Sequence, residues 1–217
     1  MKEIEVKSPW DSLPFEKIKT NNSSEIEQIL LNGYNLSLKK AIEFPLYKRI
    51  EVLKKFSYLI KKNIDFLANQ AVKEGGKPLK DTLIEINRGF EGVESCIEVL
   101  KNEAGSVIPM NLNLASKDRI AFTQKEPIGL VLAISAFNHP FNLIIHQIIP
   151  AIAVGCPVIV KPSEDTPLSC ISIIKMLQEA GLPSFWCQLI IPEDIKLATK
   201  IVEDNRISFL SFIGSSK

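Results

Sequence analysis

EPIGLVLAISAFNHPFNLIIHQIIPAIAVGCPVIVKPSE, residues 126 to 164, decides how this chain folds. Ile128 to Ile134 is an apolar run of strand length, bounded by Pro127 and by the loop Ser135-Ala136-Phe137-Asn138-His139. A continuous apolar run between turn signals fits a strand buried on both faces, the usual state in a parallel sheet. Pro140 suits the first position of a helix, where its fixed φ is already helical and its missing N–H has no partner to lose. Phe141, Ile144, Ile145, Ile148 and Ile152 then recur at helical spacing, and Pro150 predicts a kink or an early end. Val158 to Val160 reads as a second strand that ends at Lys161-Pro162-Ser163-Glu164. The order is β-α-β, with polar residues at the carboxyl ends of both strands. That edge is where open α/β sheets bind ligands.

On the amino-terminal side, residues 1 to 20 are expected to be extended, because Pro9 and Pro14 break any helix. Ser23-Ser24-x-x-Glu27 resembles a capping box opening a helix through Ile26, Ile29 and Leu30. From Leu46 to about Lys73, the spacing of Ile50, Leu53, Phe56, Leu59, Ile60, Ile64 and Leu67 predicts amphipathic helices with lysines outside. Gly75-Gly76-Lys77-Pro78 is a stop signal, and a further helix is expected over Leu79 to Glu103. Gly105 to Lys125 reads as a loose β-hairpin. On the carboxyl side, a helix over Thr166 to Ala180, a strand over Gln188 to Ile191, a helix over Asp194 to Glu203 and a strand over Ile207 to Ile213 continue the alternation. The expected class is α/β: an incomplete Rossmann-like, doubly wound parallel sheet with N-terminal helices and a protruding β-hairpin.

The composition, 46% hydrophobic and 24% charged over 217 residues, is that of an ordinary globular domain. A net charge of +1 gives no electrostatic case for nucleic acid or an anionic membrane as partner. The most apolar segment, Ile148 to Val160, is broken by Pro150, Gly155 and Pro157 and is shorter than the ~18 residues that span a bilayer. The first ten residues carry no apolar signal-peptide core. Cys96, Cys156, Cys170 and Cys187 are widely spaced, with no CxxC and no nearby histidine pair, so reduced, buried, structural thiols and a cytoplasmic location are expected.

Taken together, EPIGLVLAIS, the FNHP loop, AIAVGCPVIVKPSE and the later SFIGS resemble the cofactor-domain core of the aldehyde dehydrogenase superfamily. A weaker similarity extends to EGGKPLKD and to SPWD near the start, so the resemblance covers nearly the whole chain. It implies NAD as cofactor, with NADP open, and an aldehyde as substrate. It also implies that the 105–125 hairpin projects from the cofactor domain and helps to build an oligomer interface.

Residue by residue, the resemblance assigns Asn138 as the amide donor to the oxyanion of the thiohemiacetal intermediate. An amide suits that task because it is a neutral donor with a fixed dipole. From the residues alone, Asn138 reads first as a helix N-cap just before Pro140. Lys161 and Glu164 are implied to bind the adenosine ribose, with Glu164 accepting from its 2′- and 3′-hydroxyls. That arrangement favours NAD, since a 2′-phosphate would face a carboxylate, although Ser163 and Lys161 offset this. The backbone of Ile134 and Ser135 and the ring of Phe137 are implied to line the cofactor channel. Gly214-Ser215 matches the turn whose backbone N–H groups meet the pyrophosphate. The family commonly has Thr where Ile213 stands, and a Gly-containing loop where this chain reads Ile190-Ile191-Pro192-Glu193-Asp194. His139 and His146 are given structural roles, and no metal site is expected.

The resemblance places the cysteine nucleophile and the glutamate base downstream of the Gly-Ser turn, beyond Lys217. A partial NAD(P)-binding domain without its catalytic domain is therefore expected, and residues 1–217 alone should not oxidise aldehydes. A non-catalytic nucleotide-binding or interaction protein, or an inert remnant of a split gene, are the other readings. The hairpin and the strand Ile207 to Ile213 are expected to leave apolar surface open, leading to self-association or to a complementary chain.

Overall fold

The computed structural model describes residues 2–39 and 41–215. The extended arm is an antiparallel pair, β1 (Glu3–Lys7) and β2 (Pro14–Lys19). It continues into Asn21, whose N–H donates to the Ile191 carbonyl over 2.7 Å and whose side chain accepts from Ile191 N over 2.8 Å. The departure at Ile190-Ile191 is thus filled from within: both isoleucines are buried, and the amino-terminal arm is pinned there.

Helix α1 (Ser23–Leu38) is capped by Asn22 in a capping box with Glu25, two residues earlier than the Ser24-x-x-Glu27 pattern suggests. Asn competes well with Ser as an N-cap, and here its carbonyl oxygen accepts from Glu25 N over 3.0 Å. Helices α2 (Leu46–Lys62), α3 (Ile64–Gly75) and α4 (Leu79–Asn102) follow the expected periodicity. Gly76 ends α3 with φ +69°, and an added Cβ there would lie 2.6 Å from Pro9 Cγ. Glycine is required on both counts.

The expected hairpin is shorter than its sequence span. Only Val107–Ile108 (β3) and Ala121–Phe122 (β4) pair, and the tip carries a 3-10 turn at Leu114–Ser116. Its asparagines go to turn bonds instead of strand positions; Asn113 caps the 3-10 turn.

The main sheet is parallel, ordered β7 (Cys187–Leu189), β6 (Val158–Lys161), β5 (Leu130–Ile134), β8 (Ile207–Phe212). Helix α5 (Asn142–Val154) connects β5 to β6, α6 (Pro167–Glu179) connects β6 to β7, and α7 (Ile195–Val202) leads back to β8. Val131 and Ala133 of β5 face a large core shared with α2 to α6. Leu130 and Leu132 face a second core with Ile26 and Leu30 of α1 and Ile201 of α7. Both faces of β5 are therefore covered, as the continuous apolar run requires, and each such side chain contributes roughly 1.5–3 kcal/mol.

Helix α5 begins at Asn142, two residues later than Pro140 suggests, and it does not end at Pro150. Pro150 and His146 lie on the exposed face, so the carbonyl that loses its i+4 donor faces water. Between β5 and β8 the register shifts after Leu130↔Ile207, so that Val131 pairs with Phe209. Gly129 makes room there, with φ +133°; a Cβ on it would fall 2.1 Å from Ser208 Oγ. Among the described residues no helix is long and apolar enough to cross a membrane.

Candidate functional site

Strand order sets the position of the site. From β5 the chain steps outward to β6 and β7, then returns to lay β8 on the other side of β5. A strand-order reversal of this kind places a crevice at the carboxyl edge of the sheet. A cleft of about 630 Å³ lies there, lined by Ile134, Ser135, Ala136, Phe137 and Asn138 after β5, Lys161, Ser163, Glu164 and Asp165 after β6, and Phe212, Ile213, Gly214 and Ser215 after β8. All nine residues singled out from the sequence fall on its walls. Ala136, Asp165, Phe212 and Ile213 join them simply as chain neighbours.

Asn138 is exposed, and among the described residues its side chain has no hydrogen-bond partner in the protein. The helix-cap reading of this residue is therefore not what the fold uses. The N-cap of α5 is Phe141, with no side-chain cap of its own, and the first free N–H groups are taken by Glu85 Oε1, 2.9 Å from Phe141 N and 3.1 Å from Asn142 N. The Asn138 amide is left available to the cleft.

Lys161 Nζ and Glu164 Oε1 form a loose ion pair at 3.8 Å, with the lysine side chain the more covered of the two. Ser163 Oγ accepts from Asp165 N over 3.3 Å, shaping the turn into α6. Ser135 is buried, and its hydroxyl has no partner in the protein. Gly214 sits against the Phe212 ring, where a Cβ would come within 2.6 Å of Cζ. Glycine keeps the chain free of a side chain at this turn, where a Cβ would push the exposed Phe212 ring aside. The ring of Phe137 is more than half exposed at the cleft wall. His146 lies on the exposed face of α5, outside the cleft.

None of the four cysteines lines the cleft, and all are free thiols. Burial pushes Cys187 up to about 12, and burial likewise raises Cys96 and, much more, Cys170. A thiol held in its neutral form is a poor nucleophile.

Sequence reasoning missed the charged residues behind the loops. Glu85 is fully buried, and its Oε2 accepts from Lys77 Nζ over 2.6 Å. Glu74, also buried, accepts from Leu168 N over 2.7 Å and Ser169 N over 2.8 Å at the start of α6. Glu74 opens the EGGKP turn and Glu85 lies two turns into α4; no local sequence signal marks either as buried, because a charged residue in a helix reads as solvated.

The chain belongs to the aldehyde dehydrogenase family, whose model matches residues 1–217. It is 28% identical over 214 residues to the 3-sulfolactaldehyde dehydrogenase of Priestia aryabhattai, covering 99% of this chain and 44% of that protein. The crystal structure of aldehyde dehydrogenase 21 from Physcomitrella patens, in complex with the reaction product succinate, matches with TM-score 0.93 at 28% identity, over 99% of this chain and 44% of that one. Glyceraldehyde-3-phosphate dehydrogenase GapN from Methanocaldococcus jannaschii, complexed with NADP, matches with TM-score 0.90 at 29% identity, over 99% of this chain and 47% of that one. The chain thus spans less than half the length of these relatives.

Proposed function

We propose that residues 1–217 form the cofactor-binding portion of an NAD(P)-dependent aldehyde dehydrogenase, an enzyme that converts an aldehyde to a carboxylic acid. One observation carries this: three loops distant in sequence bring all nine assigned residues to one cleft at the strand-order reversal. The cleft suits a dinucleotide, with a partnerless buried hydroxyl at Ser135, a side-chain-free approach at Gly214 and an ion pair at Lys161–Glu164 loose enough to exchange for ligand contacts.

In this reading the bound dinucleotide supplies the hydride acceptor. Lys161 and Glu164 hold the adenosine ribose, with the Glu164 carboxylate accepting from its hydroxyls, which favours NAD over NADP. Gly214 and Ser215 receive the pyrophosphate on backbone N–H groups. Ile134, Ser135 and Phe137 form the channel wall, and the Asn138 amide donates to the oxyanion that develops on the aldehyde oxygen. The attacking thiol and the general base come from outside residues 1–217, because the four cysteines here are remote from the cleft. Free thiols also suit a reducing compartment, the cytoplasm.

The open surfaces of the hairpin and β8 serve, in the same reading, as contacts with further chain. Leu114, Ile120 and Phe122 are among the most exposed apolar side chains, and β8 is an edge strand with Phe209 and Phe212 more than half exposed.

Aldehyde-dependent reduction of NAD, read from nicotinamide absorbance, tests the assignment. Residues 1–217 alone should show no turnover. In a protein that also carries the thiol segment, Asn138→Ala should lower kcat by about 10²–10³-fold with nucleotide affinity unchanged. Turnover by residues 1–217 alone, or full kcat in Asn138→Ala, would overturn it.

A further inference from the structure

The turn Gly75-Gly76-Lys77-Pro78 has a buried glutamate on each side, and each reaches the amino end of a different crossover helix. Glu74 receives the first N–H groups of α6, and Glu85 those of α5. Neither helix has a side-chain cap from its own N-cap residue. The free amides of both first turns are therefore satisfied from one distant hairpin of helices. These are the helices that begin just behind the Asn138 loop and the Lys161–Glu164 turn.

At α5 the arrangement goes further. Lys77 Nζ lies 2.6 Å from Glu85 Oε2 and 2.9 Å from Nδ1 of His139, the residue next to Asn138. An ammonium group can only donate, so Nδ1 is the acceptor and the ring proton sits on Nε2. Glu85 Oε2 also approaches Nδ1, but at 3.4 Å, which leaves Lys77 the stronger claimant. One residue earlier, the Phe137 carbonyl accepts from Thr166 Oγ1 over a long 3.5 Å. Asn138 makes no side-chain bond of its own among the described residues, so its aim is set by these neighbours.

We propose that Lys77 and Glu85 are positioning residues for the Asn138 loop, holding His139 as the Nε2–H tautomer and pinning the loop to the start of α5. The functional meaning rests on the assignment of Asn138 as oxyanion donor; the contact itself does not. Lys77 enters this position because Gly76 turns in the left-handed region against Pro9, delivering the lysine toward α4 and α5.

The protein contains two histidines, so His146→Gln, on the exposed face of α5, leaves His139 alone in the imidazole spectrum. Nitrogen NMR of that protein at mildly alkaline pH should show a protonated Nε2 and an unprotonated Nδ1. Lys77→Met should convert this to an exchanging mixture of tautomers and speed amide exchange over residues 139–145 about tenfold. Lys77→Arg, which keeps a cationic donor, should retain the Nε2–H form. An Nδ1–H ring in the His146→Gln protein, or an unchanged spectrum in Lys77→Met, would overturn the proposal. The first of these outcomes is readable even if Lys77→Met fails to fold. Absent nucleotide binding with the tautomer intact would sink the cofactor assignment and leave the Lys77–His139 contact standing.

Discussion

The backbone N–H of Ile213 donates to the Ile134 carbonyl over 2.9 Å, so the chain leaving β8 stays paired to β5 up to the floor of the cleft. The same carbonyl receives Gln147 Nε2 over 2.9 Å, and that amide also reaches Ser211 O over 3.0 Å and Ser211 Oγ over 3.2 Å. A buried side chain of α5 thus ties together the two strand ends whose following residues line the cleft.

Gln147→Leu removes these bonds while filling the same space, and it leaves Ser211 short of a donor. We expect a loss of about 1–3 kcal/mol, measured by denaturant unfolding. Nucleotide affinity should fall with it, because the Gly214 turn would no longer be held beside Ser135. Unchanged stability and affinity would mean that the Ile213–Ile134 bond suffices alone.

Glu74 makes stability depend on pH. Burial raises its carboxyl from the ordinary 4.5 to about 7, against hydrogen bonds from Ser169 and Leu168 that lower it, and Glu85 adds to the rise. Between those values the folded chain keeps a proton that the unfolded chain releases. The contribution of Glu74 to stability is therefore full below about 4.5 and is lost as pH rises through about 7. Glu74→Gln, which stays neutral, should gain on the parent across that window by up to about 3 kcal/mol. Melts at a series of pH values check this; parallel curves for the two proteins would contradict it.

Which parts of this were legible in the sequence follows from how local each signal is. The β5 run, the α7 helix expected from Asp194 and the Gly76 stop depend on neighbours a few residues away, and the structure has all three. The edge that carries the cleft followed from where β5 and β6 stop, while Lys161 and Gly214 were assigned to it by the family resemblance. Glu74, Glu85 and Lys77 were not legible, because a charged residue in a helix or turn reads as solvated. Their burial is decided by helices some 60 to 95 residues away in the chain, as the separations of Lys77 from His139 and of Glu74 from Ser169 show. The start of α5 was misplaced for the same reason: its cap comes from Glu85, not from the residues before Pro140.

The exposed face of β8 and the hairpin should make residues 1–217 self-associate. Burying one large apolar side chain is worth roughly 1.5–3 kcal/mol, so several together drive pairing of open edges. Phe209→Glu places a charge on the β8 edge and should reduce the association seen by light scattering at low micromolar concentration. A monodisperse parent protein that melts cooperatively would contradict this.

Nucleotide binding at the cleft is tested most directly by calorimetric titration of residues 1–217 with NAD, NADP, ADP and AMP. Recognition centred on Lys161 and Glu164 predicts that ADP and AMP compete about as well as NAD and that NADP binds more weakly. It also predicts that Glu164→Ala weakens NAD about tenfold through the lost bonds between its charged carboxylate and the ribose hydroxyls. No heat with any of the four nucleotides, or NAD binding unchanged in Glu164→Ala, would contradict the assignment of this cleft as the cofactor site.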